Sequence, residues 1–132
     1  MSAGGASRNK GKAGERELAT LLAQVTGHDV RRRVRQHDGD SDLEGLPGWS
    51  IECKRYASAS PALVAVWWAQ ACRQARRTGT LPVLLYRLDR GQWQAVWSAD
   101  HHTSMDNWRE DFDSTLSASP STWWAMCRHL NA

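Results

Sequence analysis

Apart from tryptophan, the chain is poor in aromatic residues: one phenylalanine and two tyrosines stand among 132 residues, against eight tryptophans. Long apolar runs are absent too. Nothing approaches the ~18 consecutive apolar residues of a transmembrane helix, and Met1–Lys12 is polar and Gly-rich, unlike the apolar stretch of a signal peptide. No membrane partner is expected, and the expected location is cytoplasmic. Cysteine is scarce: Cys53, Cys72 and Cys127 are an odd number at wide spacing with no C-x-x-C pair, which excludes a disulfide framework and a zinc ribbon. Lysine is scarce as well. Arginine supplies 14 of the 17 basic residues, a bias that suits bidentate contacts to phosphate. With 41% hydrophobic and 23% charged residues the chain is neither disordered nor fibrous, and its length suits one domain.

The net charge of +3 conceals an uneven distribution. Residues 1–35 hold eight Lys/Arg against three Asp/Glu; 36–52 hold none against five; 53–99 hold seven against one; 100–132 hold two against five. Basic blocks suit a polyanion, whose condensed counterions they release. An acidic island between them would repel that polyanion unless a cation sits on it, which is the arrangement a metal-dependent nuclease needs.

Periodicity sets the elements. Residues 1–12 read as a flexible basic arm that cannot bury a face. Leu18, Leu21, Leu22 and Val25 recur at helical spacing and Gly27 is placed to end the helix, predicting a first helix over 13–26. A strand with one basic face is expected over 29–35, a polar turn at 36–41, and a strand over 49–54 whose Trp49, Ile51 and Cys53 face one way and Ser50, Glu52 and Lys54 the other. Pro61 opens a second helix that reaches Thr78 before Gly79. Strands follow at 81–88 and 92–97, joined by Asp89-Arg90-Gly91, then a short helix near 104–111 and a last one near 121–130. The whole is mixed α/β, a sheet covered by helices, with a core over about 13–98 and a helical extension over about 99–132 of one domain spanning 13–132.

Hydrolysis of a phosphodiester requires charge neutralisation at phosphorus and hydroxide near neutral pH, and a carboxylate-held Mg²⁺ supplies both. Glu52 and Lys54 are the most informative pair, because two residues apart on a strand puts a carboxylate and a cation on one face, ~6.6–6.8 Å apart. The main-chain carbonyl of Cys53 is a further candidate ligand. In Gly14-Glu15-Arg16-Glu17, Glu15 lies three residues before Leu18 and seven before Leu22, on the buried stripe, where a carboxylate at a helix start is favoured by the backbone dipole. That face is expected to look onto the sheet edge bearing Glu52. Asp38, Asp40, Asp42 and Glu44 supply further carboxylates.

Three motifs then occur in order: Gly11-Lys12-Ala13-Gly14-Glu15-Arg16-Glu17-Leu18, Ser41-Asp42-Leu43-Glu44-Gly45 and Ile51-Glu52-Cys53-Lys54. Over roughly residues 8–88 the chain resembles the archaeal-type Holliday junction resolvases, members of the PD-(D/E)XK nuclease superfamily that occur in archaea and phages. The resemblance implies a restriction-endonuclease-like fold and a homodimeric, Mg²⁺-dependent endonuclease, with Mn²⁺ as a substitute, in a prokaryotic cell or a phage-infected host. It would nick branched DNA in pairs and leave 5′-phosphate and 3′-hydroxyl ends. Carried over by position, Glu15 is the acidic residue of the first helix, Asp42 and Glu52 are metal ligands, joined by Glu15, and Lys54 is the catalytic lysine. Ser41 stands where the family has proline, and the Asp42–Glu52 spacing is short, so Asp40 competes with Asp42 for the ligand position. Gln70 sits like the glutamine that many superfamily members place near the active site, on a polar stripe with Arg73, Gln74 and Arg77.

DNA contacts are expected from Arg8, Lys10, Lys12 and Arg16, from Arg31, Arg32, Arg33 and Arg35, and from Arg55, Arg73 and Arg77. Contacts to phosphate carry no base information, so shape rather than sequence is the expected basis of recognition. Trp67, Trp68, Trp93 and Trp97 fall on apolar faces and are expected in the core or a dimer interface; Trp123 and Trp124 are placed to pack against a second subunit. His101, His102 and His129 match no metal pattern and are assigned to structure. Alternatives are another DNA nuclease of the same superfamily, of duplex-nicking, flap or restriction type, a silent DNA-binding protein with this fold, and a Trp-rich protein-interaction module.

Overall fold

The computed structural model describes residues 3–34 and 42–130, with backbone only for 3–10; Arg35, Asp38, Asp40 and Ser41, and the side chains of Arg8 and Lys10, lie outside what is described. Helix α1 spans Ala3–Thr26, and short strands β1 (Arg31–Arg32) and β2 (Leu43–Glu44) precede the long strand β3 (Trp49–Tyr56). Helix α2 (Pro61–Thr78), β4 (Leu81–Leu88) and β5 (Gln94–Ser98) follow, then two 3-10 turns, β6 (Thr115–Ala118) and α3 (Pro120–Cys127). The six strands lie side by side in chain order, β1 to β6. Among the described residues only β3 and β4, joined through α2, run parallel; the other neighbours are antiparallel.

The alternation of side chains along each strand divides the core into two layers. Ile51, Cys53, Val83, Leu85, Ala95 and Trp97 pack with Leu18 and Leu22 of α1 and with Trp123 and Cys127 of α3. Leu84 and Val96, from the opposite face, pack with Val64, Trp67, Trp68, Ala71 and Cys72 of α2. Glu52 and Lys54 are out of phase with Cys53, so they point to the α2 side of the sheet.

Helix α2 has the predicted limits because both ends are chemically marked. Ser60 caps the start by accepting from the Leu63 N–H, Pro61 takes the first turn, and Gly79 ends it in the left-handed region at φ 67° while its N–H bonds the Ala75 carbonyl. Where α1 crosses β3, a Cβ on Gly14 would lie 2.5 Å from the Arg55 Cβ. That neighbour is the root of a side chain and cannot swing away. Gly14→Ala is therefore expected to push α1 off the sheet and cost about 1–3 kcal/mol, read as a lower urea midpoint at unchanged slope.

The structure departs from the sequence reading in four places. Helix α1 begins at Ala3 rather than at 13: once the packed turns after Lys12 have nucleated a helix, Ala, Arg and Lys extend it without a further nucleation cost. The first strand shrinks to Arg31–Arg32, because β2, its partner, is itself two residues long. No helix forms over 104–111. There, Asp100 accepts from the Arg109 backbone and guanidinium, and Trp68 Nε1 donates to the Glu110 carbonyl at 2.9 Å, so side chains capture backbone groups that a helix would use. Finally, 99–130, the described part of the last segment, is not a helical extension: β6 closes the sheet against β5, and Trp123, fully buried, meets Trp49 edge-on at 5.1 Å within the same subunit.

Candidate active site

Strand β2 departs from β3 immediately before the acidic cluster. The two strands pair at Leu43 and Ile51, the Asp42 N–H still bonds the Ile51 carbonyl at 3.1 Å, and beyond that point the Cys53 N–H is taken by the Asp42 side chain, Oδ2, at 2.8 Å. One carboxylate thus replaces a strand at the fork. Glu52, 1% exposed, lies beside it, and Lys54 Nζ is 3.1 Å from Glu52 Oε1. Glu52 Oε2 is buried with no hydrogen-bond partner.

Two carboxylates are therefore held together away from water. Burial, and then the charge of Glu52, push Asp42 up to about 7 against the opposing pull of the Cys53 N–H and of Lys54. Glu52 is also raised by burial, although Lys54 and the Gln74 side chain favour its charged form. Such an arrangement is stable as an anion pair only with a cation added. The donor set, hard carboxylate oxygens with one buried oxygen unpartnered, fits Mg²⁺, which needs only one or two carboxylates besides water and phosphate oxygens. Among the described residues no third His, Cys, Asp or Glu completes a larger metal-binding group.

A consequence for stability follows from the sign of the Asp42 shift. A carboxyl whose folded pKa is raised favours the folded state below its unfolded value, near 3.8, and loses that contribution as pH climbs through about 7. The metal-free protein is expected to melt several degrees lower at pH 8 than at pH 5 on this account, and millimolar Mg²⁺ to restore much of the difference at pH 8. Differential scanning fluorimetry across pH, with EDTA or Mg²⁺, reads both effects.

The structure brings Asp42, Glu52 and Lys54 together, with Cys53 between them on the strand. It does not gather Glu15 into that cluster. Glu15 stands on α1, on the other face of the sheet from Glu52, and its Oε2 accepts from Arg32 Nε at 3.2 Å, tying the helix to β1. The helical stripe correctly marks Glu15 as half-buried, but the two-residue period of β3 turns Glu52 away from α1. The glutamine at the site is Gln74, buried and acting on Glu52, rather than Gln70 one turn earlier. Both occupy the same polar stripe; the height of α2 along β3 selects between them, and no sequence signal carries that height.

The basic residues separate into two groups. Arg31 pairs with Asp29, Arg32 with Glu15, Arg33 with Glu44 and Arg55 with Asp89, so these arginines also hold the fold. Lys12 and Arg16 are exposed on α1. Arg73 and Arg77, exposed on α2, line an open groove of about 490 Å³ with Gln70, Gln74 and Arg76. Gln74 joins that groove to Glu52. Arg76 in turn stacks over Trp108 at 4.1 Å. Among the described residues, no helix is long and apolar enough to cross a membrane.

Comparison with known proteins agrees with this geometry. A family model described as "Phage putative PDDEXK endonuclease" matches residues 6–122. Protein D14 of Escherichia phage T5 is 27% identical over 109 residues, covering 66% of this chain and 68% of that protein. Among solved structures, Hjc of Archaeoglobus fulgidus, described as a Holliday junction resolvase from an archaeal hyperthermophile, superposes with a TM-score of 0.51 at 17% identity. The match covers 92% of this chain and 95% of that one, a likeness of fold: the mixed six-stranded sheet with its helices is restriction-endonuclease-like.

Proposed function

Because this chain belongs to the phage PDDEXK endonuclease family, we propose that it is a Mg²⁺-dependent, structure-selective DNA endonuclease that resolves four-way junctions by paired phosphodiester hydrolysis. The observation that carries the chemistry is the convergence of Asp42, Glu52 and Lys54 at the β2–β3 fork, with a buried carboxylate oxygen that lacks a partner. Asp42 and Glu52 would hold Mg²⁺, with the Cys53 carbonyl as a further ligand. Bound there, the ion supplies charge neutralisation at the phosphate and a water of lowered pKa.

The chain's own groups do the remainder. Lys54 is about one-sixth exposed, so its ammonium reaches both Glu52 and the solvent side, where it orients the attacking water or meets charge developing on a phosphate oxygen. The Gln74 side chain, by hydrogen bonding, favours the charged form of Glu52 against the burial that opposes it. Glu15, through Arg32, positions β1, and the next residue's N–H, that of Arg33, bonds the Asp42 carbonyl at 3.1 Å. Arg73 and Arg77 would seat phosphates of the DNA in the groove beside Gln74, while Lys12 and Arg16 offer a second cationic surface. Water attacks phosphorus and the 3′-oxygen leaves with a proton, giving 5′-phosphate and 3′-hydroxyl ends. Paired nicks in a junction require two such sites, and so a homodimer.

The test is an end-labelled four-way junction beside a linear duplex of the same arm sequence, both with Mg²⁺. Symmetric nicks across the branch of the junction, with the duplex left whole, are the expected result. Equal cutting of both substrates would overturn the junction assignment and leave a duplex endonuclease.

A further inference from the structure

One aromatic ring borders the proposed centre without a role in it. Strand period two places Tyr56 on the same face as Glu52 and Lys54, a further ~6.6–6.8 Å along the strand from Lys54 and on the side away from Glu52. Its side chain is only partly covered: Tyr56 is 39% exposed, whereas Trp67, which it touches at 4.8 Å between ring centroids, is 3% exposed. Trp67 is itself held between Tyr56 and Tyr86, at 5.8 Å from the latter. Tyr86 stands opposite Lys54 in the β3–β4 register. Tyr56 is thus backed by a fixed, buried ring and open on its outer side.

The flanking helix has a matching polarity. Val66, Gln70, Arg73 and Arg77 recur at helical spacing along α2, with Val66 59% exposed at the end nearest Trp67 and the arginine-lined groove at the other end. The Glu52–Lys54 centre therefore lies between an aromatic end and a basic end. A polynucleotide laid across it puts phosphates at the arginines and a base at Tyr56. Bases have a π-face of their own, and stacking on an aromatic side chain is how proteins hold them when they leave the duplex. A base inside a duplex has both faces already stacked and cannot offer one.

We propose that Tyr56 is a stacking platform for one unpaired nucleobase next to the phosphate to be cut, so that the site selects DNA with an unstacked nucleotide; this inference rests on the nuclease reading above. It assigns a specificity-determining residue outside the acidic cluster.

The test uses two duplexes, one with 2-aminopurine as a single unpaired nucleotide and one with it fully paired, bound by the full chain with Ca²⁺ in place of Mg²⁺. Wild type and Tyr56→Phe are expected to quench the unpaired 2-aminopurine and to prefer that duplex. Tyr56→Ala is expected to lose the quench, and its preference for the unpaired duplex to fall at least ~5-fold, the lower end of what one stacked base contributes. Tyr56→Leu, which keeps an apolar contact with Trp67 but has no ring, should behave as Tyr56→Ala and separates stacking from packing. Quenching that survives in Tyr56→Ala, an equal loss on both duplexes, or a change of oligomeric state as the main effect would overturn the inference. A wild type that binds a four-way junction but neither duplex, or that binds and cuts DNA without responding to Tyr56, would overturn this inference alone; a wild type that binds neither the duplexes nor a four-way junction would overturn the nuclease reading with it.

Discussion

Glu52→Gln is expected to reduce Mg²⁺-dependent DNA cleavage by about 10²–10³-fold or more, the scale of removing one preorganised electrostatic contact from a reaction centre. The same substitution is expected to raise the melting temperature of the metal-free protein at pH 8. Two effects oppose each other in that second outcome. Losing the charge removes the 3.1 Å contact with Lys54, but Lys54 is partly exposed and recovers water. It also removes a carboxylate from a site where burial outweighs the help of Lys54 and Gln74, as the raised pKa of Glu52 records, and it relieves the repulsion that lifts Asp42 to about 7. The net direction of both shifts says that relief prevails. Activity lost with stability gained is what a functional carboxylate pair produces, whereas a structural ion pair would lose stability on the same change. Cleavage rates under single turnover, beside a thermal melt in EDTA, distinguish the two.

Trp68→Ala is expected to have the largest effect on stability, about 3–5 kcal/mol. Trp68 is fully buried between α2 and the sheet, and its indole Nε1 donates to the Glu110 carbonyl at 2.9 Å. Truncation leaves a cavity between α2 and Leu84 and removes the indole's hydrogen bond to Glu110, an exposed residue whose carbonyl water can then reach, so the cavity carries most of the cost. For a chain of this length the melting temperature should fall by roughly 10–20 °C. Trp68→Phe fills most of the cavity while still losing the hydrogen bond, so it should cost distinctly less; an equal loss in the two variants would locate the stabilisation in the hydrogen bond instead. Because α2 also carries Gln74 and Arg73, the Ala variant should lose DNA cleavage in parallel with its folded fraction.

The parts of the fold and site that were legible in the sequence are those written in local chemistry. Pro61 and Gly79 bracket α2 to the residue, and the alternation over Trp49–Lys54 puts Glu52 and Lys54 on one face of β3. Asp42 is marked by its motif, though only the fork between β2 and β3 explains why it meets the Cys53 N–H. Features decided by tertiary distance were hidden. Thr115–Ala118 is a strand of Thr, Ser, Leu and Ala with no strong alternation, and it pairs because β5 presents an open edge. Trp123 sits on a helix that looks amphipathic enough to serve an interface, yet Trp49 receives it within the subunit. Gln70 and Gln74 differ by one helical turn, and Glu15 and Glu52 by the face of a sheet; neither distinction exists until α1 and α2 are docked.

The most direct test of the central claim is cleavage of an end-labelled four-way junction by the wild type and by Lys54→Ala, each with Mg²⁺ and with EDTA. Cutting by the wild type in Mg²⁺ alone, with the variant inactive though folded, is the predicted result. Wild-type cutting that persists in EDTA, equal cutting by Lys54→Ala, or no cutting of DNA by the wild type with either Mg²⁺ or Mn²⁺ would contradict the account.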